Sequence, residues 1–275
     1  MARKKPILRF WGVRGSIATP GSSTVKFGGN TACVELSLGA DRVVFDAGSG
    51  LRELGITLVK QQNLQLTIAL SHYHWDHLLG LPFFAPIFKP DTTLTVYGEP
   101  KGDGGGPREA MERQFSSPSF PVPFSTLPAK LNFHTVDAGD TFNVGEIHVT
   151  IGRLNHPNGA ICYRAHVGNR SLVYASDHEH DGNGDAKLIE FCKKADVLVY
   201  DAMYSDESYA LGKKGWGHST WQEAVRVAKA AKVKNLFLFH HDPMNDDKKL
   251  AKIERDAKKL FPNCIVAREG LAFEF

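Results

Sequence analysis

The stretch Ser71-His72-Tyr73-His74-Trp75-Asp76-His77 gathers three imidazoles and a carboxylate within six residues. Nitrogen and carboxylate oxygen donors in this combination suit zinc and its first-row neighbours. An apolar β-type run at 66–70 leads into the cluster, and Leu78-Leu79-Gly80-Leu81 after it reads as the first turn of a helix stopped by Pro82. His72 and His74 lie two apart, so in an extended segment both rings point to the same side. Asp76 and His77 follow where the chain turns, bringing two more donors toward the same point. The plain alternative is a polar loop rich in histidine, but a strand end can aim such a cluster, which favours a metal.

Four other residues share one pattern, a polar side chain directly after an apolar β run. They are Asp46 after Val43-Val44-Phe45, His156 after 151–155, Asp177 after 172–176 and His240 after Phe237-Leu238-Phe239. Singly, each reads as a turn former or a partly buried histidine. Strand ends on one edge of a sheet can converge on one cavity, and beside the histidine cluster that reading gains weight. His240 and His241 are adjacent; strand alternation sends them to opposite sides, so one of the two should face the cavity, and His240 directly ends the strand.

The elements that must deliver these groups are legible as apolar runs. Strands are expected at 7–11, 32–38, 42–45, 66–70, 94–97, 132–136, 147–154, 160–167, 171–175, 197–200, 235–239, 264–266 and 271–275. Helices are expected at about 51–61, 185–194, 219–231 (capped by Ser219 or Thr220) and 246–260. The glycine-rich run 98–107 suggests a mobile loop. The proline- and aromatic-rich run 116–128 is stiff and extended, suited to walling a pocket or covering an edge. No repeat or linker divides the chain, so residues 1–275 read as one domain, with 98–128 an insertion near the active site. Strand-rich runs interleaved with helices imply sheets packed together with helices outside.

Composition is that of an ordinary soluble globular protein, with 42% hydrophobic and 23% charged residues. A net charge of +3 is too mild to announce a nucleic-acid binder, yet it would not repel an anionic substrate. Cys33, Cys162, Cys192 and Cys264 form no CxxC pair, which argues against a disulfide framework and against a thiolate zinc site. The start is basic at 1–5, but the apolar run behind it ends at Arg9, too soon for a signal-peptide core. No stretch approaches the length of a membrane span. A cytoplasmic protein with no membrane partner is expected.

His72-Tyr73-His74-Trp75-Asp76-His77 resembles the HxHxDH signature of the metallo-β-lactamase superfamily. The order Asp46, that signature, His156, Asp177 and a late histidine is similar to the superfamily's five successive motifs, and the likeness runs from about Ile7 to the end. It implies a four-layer αββα sandwich of the α/β class, with mixed sheets, helices outside and a two-metal site at one edge of the sheets. It implies further that His72, His74 and His156 hold one metal and that Asp76, His77 and His240 hold the other. Asp177 would bridge them, and Asp46 would support the metal loop without being a ligand. His240 stands where the ribonuclease Z-like branch carries its ligand. Zinc leads among the metals, with manganese and iron compatible with the same donors.

Gly217-His218-Ser219-Thr220 resembles the HST motif of ribonuclease Z and related phosphodiesterases, and Tyr200-Asp201-Ala202-Met203 stands where that group carries its HEAT motif, with aspartate in place of glutamate. In that group a carboxylate pairs with a histidine that contacts the phosphate and protonates the leaving oxygen. The long basic arm that ribonuclease Z uses to grip transfer RNA has no counterpart here, so no stable nucleic-acid complex is expected. Arg9-Phe10-Trp11-Gly12-Val13-Arg14-Gly15-Ser16 and the run at 27–33 resemble a bacterial group of hydrolases of this fold; Arg14 either binds an anion at the site or serves a tight turn.

The leading expectation is a phosphodiesterase acting on a cyclic nucleotide, a short oligonucleotide or another small diester. Two metals would lower the pKa of a bridging water and offset charge on a phosphate oxygen. Asp76 would orient the resulting hydroxide, and His218, steadied by Asp201, would be the general acid. Rival readings are a lactone, thioester or β-lactam-type hydrolase on the same metals, and a non-catalytic metal-dependent nucleotide sensor. Related hydrolases are often dimers, which makes a homodimer one expected state.

Overall fold

Apolar runs without polar interruption become central strands, and runs that alternate become strands with one wet face. The computed structural model describes residues 4–102, 105–180, 182 and 185–275; parts of the basic start at 1–5 and of the glycine run at 98–107 lie outside them. The first sheet is built from β1 (Ile7–Gly12), β2 (Cys33–Leu38), β3 (Asp41–Phe45), β4 (Gln65–Ala69), β5 (Thr93–Gly98) and β6 (Lys130–Thr135) in that spatial order. The second takes β7 (Thr141–Val144), β8 (Ile147–Leu154), β9 (Ala160–Val167), β10 (Arg170–Ala175), β11 (Val197–Asp201), β12 (Asn235–Phe239) and β13 (Cys264–Val266), again in sequence order. The last strand, β14 (Ala272–Glu274), crosses back to pair with β1.

Both sheets are mixed. In the first, β1 to β3 are antiparallel and β3 to β6 parallel. In the second, β7 to β10 are antiparallel and β10 to β13 parallel. Every residue of β11 is buried, as expected of a parallel strand covered on both faces.

Between the sheets lies an apolar layer in which Phe10, Val34 and Phe45 meet Ile151, Tyr163, Tyr174 and Phe237. The rings of Phe45 and Tyr174 stack at 5.2 Å across it. On the outer face of the second sheet, Leu198 and Leu236 pack against α3 (Ala186–Cys192), α5 (Trp221–Ala230) and α6 (Asp247–Leu260). On the outer face of the first, Val44 and Ile68 pack against α1 (Gly50–Leu58) and α2 (Pro107–Gln114). The architecture is the expected αββα sandwich. Among the described residues no helix is long and apolar enough to cross a membrane.

Departures from expectation are local. The helix expected after the histidine cluster is replaced by three short 3-10 turns at Trp75–His77, Leu81–Phe83 and Ala85–Phe88. Pro82 and Pro86 each remove an amide donor, which stops an α-helix from propagating. α2 occupies part of the glycine- and proline-rich insertion where no helix was expected; Pro107 starts it, the position where a missing N–H costs least. α4 (Asp206–Ala210) and the four-residue β7 were also not foreseen. Of the two candidate caps for α5, Thr220 is the one whose side chain accepts from Glu223 N.

Gly80 ties the metal loop to the turn after β3. Its amide donates to Ala47 O at 2.9 Å, and an added Cβ would press into the Gly48 carbonyl. Gly80→Ala should therefore lower stability by about 1–3 kcal/mol, read as a fall of several degrees in the melting temperature. Gly102→Ala, whose Cβ would meet nothing within 4 Å, should leave it unchanged.

Candidate metal centre and active site

The expected site residues come together at the carboxyl ends of strands from both sheets. Asp46 follows β3, His72 follows β4, Asp177 follows β10, Asp201 ends β11 and His240 follows β12, while His156 lies in the turn after β8. Three of these turn residues, Asp46, Asp177 and His240, adopt left-handed backbone with φ of 61°, 51° and 57°. Non-glycine residues rarely sit there, and such strain gathers where a side chain must be aimed.

Two donor groups result. His72, His74 and His156 form one, and Asp76, His77, Asp177 and His240 form the other, each with donor atoms mutually within 4.8 Å. In the second group, His77 Nε2 is 3.3 Å from Asp76 Oδ2, 3.2 Å from Asp177 Oδ1 and 3.3 Å from His240 Nε2. His240 Nε2 is in turn 3.2 Å from each of those two carboxylate oxygens. Donors bound to one tetrahedral zinc at about 2.0–2.1 Å lie roughly 3.3–3.4 Å apart, so this arrangement fits an ion. The first group is somewhat wider. His74 Nδ1 is 3.1 Å from His156 Nε2, and Asp177 Oδ2 is 3.6 Å from His72 Nε2 and 3.8 Å from His156 Nε2. The two oxygens of Asp177 thus face different groups.

The far nitrogens explain the orientation of the rings. His72 Nδ1 meets Ser71 Oγ at 3.0 Å, His77 Nδ1 meets Asp46 Oδ2 at 2.8 Å, and His156 Nδ1 meets Gly217 O at 2.7 Å. A proton on each of these Nδ1 atoms leaves an Nε2 lone pair directed inward, the usual arrangement behind a metal-binding histidine. His72 Nε2 is buried and has no hydrogen-bond partner, which fits a metal donor better than a structural histidine. Asp46 reaches the donor rings from behind, directly at His77 and by way of Ser71 Oγ at His72. It also accepts from Ser71 N, Ser71 Oγ and Tyr174 OH at 2.7, 2.8 and 2.7 Å, so it braces the loop from beneath.

Charge within the centre is strongly biased. Burial would raise Asp76 and Asp177, but the surrounding imidazoles, His77 and His240 foremost, hold both far below the usual carboxylate range. Burial keeps His72, His74 and His156 below the ordinary imidazole value. His77 goes the other way: burial would lower it, yet Asp177, Asp76 and Asp46 raise it well above normal. Carboxylates that draw a proton onto a buried ring would also attract a divalent cation. The clustered residues constitute metal-binding ground.

Beside the donors stands His218, its ring 4.9 Å from His240 and 5.3 Å from His156. His218 Nδ1 donates to Asp201 Oδ2 at 2.9 Å, leaving Nε2 as the second functional nitrogen. Burial would lower its pKa, but the Asp201 carboxylate outweighs that and raises it to about 9. Asp201 is itself fixed by amides, accepting from Met203 N at 3.1 Å and His178 N at 3.2 Å.

Two residues left open by the sequence take definite places. His241 turns away, with its Nε2 2.8 Å from Ala267 O and its pKa lowered by burial to about 3, while His240 enters the cluster. Arg14 joins turns: its Nε donates to Gly28 O at 2.8 Å and Nη1 to Asn245 O at 2.6 Å, while its Nη2 is buried without a partner. Lys101, Arg113 and Ser119 of the insertion line a cavity of about 560 Å³ with Tyr73 and Trp75.

Sequence reasoning missed Glu179. Its carboxylate accepts from Gly217 N at 2.8 Å, and Gly217 O receives His156 Nδ1. Gly217 has φ of 84°, and a Cβ there would collide with the His156 ring, so only glycine serves. The run His178-Glu179-His180 directly after Asp177 gave no spacing that marked it, because Glu179 acts through the backbone amides of Gly215 and Gly217.

The family profile described as "Beta-lactamase superfamily domain" matches residues 41–241. Ribonuclease Z of Picrophilus torridus is 23% identical, over 97% of this chain and 94% of its own. The metallo-beta-lactamase fold protein YhfI from Bacillus subtilis superposes with a TM-score of 0.73 at 20% identity, covering 99% of this chain and 100% of that one. The short form of human tRNase Z superposes at 0.66 with 19% identity, covering 97% and 98%. With a profile match over most of its length and buried histidine–aspartate donor groups at its strand ends, the chain belongs to the beta-lactamase superfamily and is a metal-dependent hydrolase.

Proposed function

We propose that the protein hydrolyses a small phosphodiester, with a cyclic nucleotide or short oligonucleotide as the natural substrate class. The observation that carries this reading is the His218–Asp201 pair set beside the metal donors. A thioester expels a thiolate of low basicity, which departs without help from an acid. A phosphodiester loses an alkoxide of high basicity, and a positioned acid then contributes about 10²–10⁴-fold. Ribonuclease Z among the relatives is a nuclease by name, which agrees in substrate chemistry.

In this reading His72, His74 and His156 hold one divalent ion, Asp76, His77 and His240 hold a second, and Asp177 serves both. Zinc is the leading occupant, with manganese or iron suited to the same donors. Such a pair acidifies a water and offsets charge on a phosphoryl oxygen. The chain's own residues do the rest. Asp76, whose Oδ2 is steadied by Ser16 N at 2.7 Å, orients the attacking water. Asp201 holds the proton on His218 Nδ1 and raises the basicity of the ring, so that Nε2–H can donate to the leaving oxygen. Because donors come from the ends of both sheets, residues 1–275 act as one unit.

Purified protein loaded with zinc or manganese should hydrolyse bis-p-nitrophenyl phosphate, and chelation should abolish turnover. His218→Ala should lower kcat by about 10²-fold or more on an alkyl ester with a poor leaving group, and far less on the nitrophenyl ester. Absence of turnover by the loaded protein would contradict the reading.

The acid must be protonated, so activity is retained below its pKa and falls as pH rises through it. With Asp201 present the ring is raised to about 9, and bound cations would move that limb to lower pH. Asp201→Asn removes the charge that raises His218, so the alkaline limb of the kcat profile should move to lower pH. An unmoved limb would show that His218 is not the titrating acid.

A further inference from the structure

Resting on the phosphodiesterase reading, we propose that Trp216 and Lys213 form a nucleoside subsite beside His218, and that the substrate carries a nucleobase that stacks on the Trp216 ring.

The segment Leu211-Gly212-Lys213-Lys214-Gly215-Trp216-Gly217 runs directly into His218. Trp216 is 58% exposed and stands two residues from the acid, so more than half of a large ring faces water there. Lys213 lays its ammonium 4.1 Å from the centre of the Trp216 ring and 5.7 Å from that of Tyr204. Tyr204 in turn stands 6.1 Å from His218, so exposed indole, ammonium and acid form a row along one side of the centre. Among the described residues neither Lys213 nor Lys214 has a carboxylate partner, whereas most other charged side chains near the centre are paired.

The segment is fastened rather than loose. Glu179 accepts from Tyr209 OH at 2.6 Å, Gly215 N at 2.6 Å and Gly217 N at 2.8 Å, gripping the run on both sides of Trp216. Lys213 N donates to Tyr209 O at 3.1 Å and Trp216 N to Lys213 O at 3.3 Å. A ring held in place, with positive charge on it and a general acid beyond it, suits an aromatic base attached to an anionic ester. Aromatic side chains with nearby cations are the common device for holding unpaired bases, and they accept any base because each has a π-face.

The test compares two esters with the same leaving group, thymidine 5′-(p-nitrophenyl phosphate) and methyl p-nitrophenyl phosphate. Trp216→Ala should raise KM for the thymidine ester about tenfold, the effect of losing one base–aromatic stack, and change the methyl ester less than about twofold. Lys213→Met, which keeps the stem and removes the charge, should shift the same KM in the same direction by less. Equal losses on both esters, or none on either, would overturn the subsite. Should the loaded wild-type protein turn over neither ester, the phosphodiesterase reading has failed, and calorimetric titration with thymidine 5′-monophosphate then decides the subsite separately. Binding weakened about tenfold by Trp216→Ala supports it; no binding, or equal binding by both proteins, overturns it.

Discussion

The organisation of this protein follows from an electrostatic conflict held at its centre. His77, His240, Asp76 and Asp177 point lone pairs and negative oxygens at one another across 3.2–3.3 Å in a buried space. In a medium of low dielectric, such an assembly is unfavourable unless a positive charge sits within it. The surrounding structure is built to withstand this. Asp46 under His77, Ser71 under His72 and Gly217 behind His156 fix those three rings by their far nitrogens.

The sandwich supplies the stiffness. Each sheet has an antiparallel half and a parallel half, and the parallel halves place strand carboxyl ends side by side. Ligands of open α/β sheets bind at that end because the turns there fan out from a rigid edge. Here Asp46, His72, Asp177, Asp201 and His240 all use it, and the three left-handed residues among them show how sharply the chain must turn to aim a short side chain. The stacked rings of Phe45 and Tyr174 join the sheets just below, and the Tyr174 hydroxyl reaches Asp46, so interior packing and donor geometry are mechanically one.

Much of this was legible in the chain itself. A polar residue directly after an apolar run, taken together with the histidine cluster, marked Asp46, His156, Asp177 and His240, because a strand end leaves few places for that side chain to go. Alternation allowed only one of His240 and His241 to face the site, and the strand end and the family resemblance favoured His240, though the left-handed turn there is what delivers the ring. Three things were beyond reach. The turns after the histidine cluster depend on Gly80 meeting Gly48, a contact between segments far apart along the chain. α2 sits in a stretch whose glycines and prolines carry no helical period. Glu179 acts through backbone amides, which no spacing of side chains announces.

The account stands on cations occupying two adjoining donor groups that share Asp177. Anomalous diffraction at the zinc or manganese edge, from crystals grown with that metal, measures this directly. Two peaks are expected, one among His72, His74 and His156, the other among Asp76, His77 and His240, with Asp177 in contact with both. Density for no ion among these residues, or ions bound elsewhere on the chain while this centre stays protonated, would contradict it.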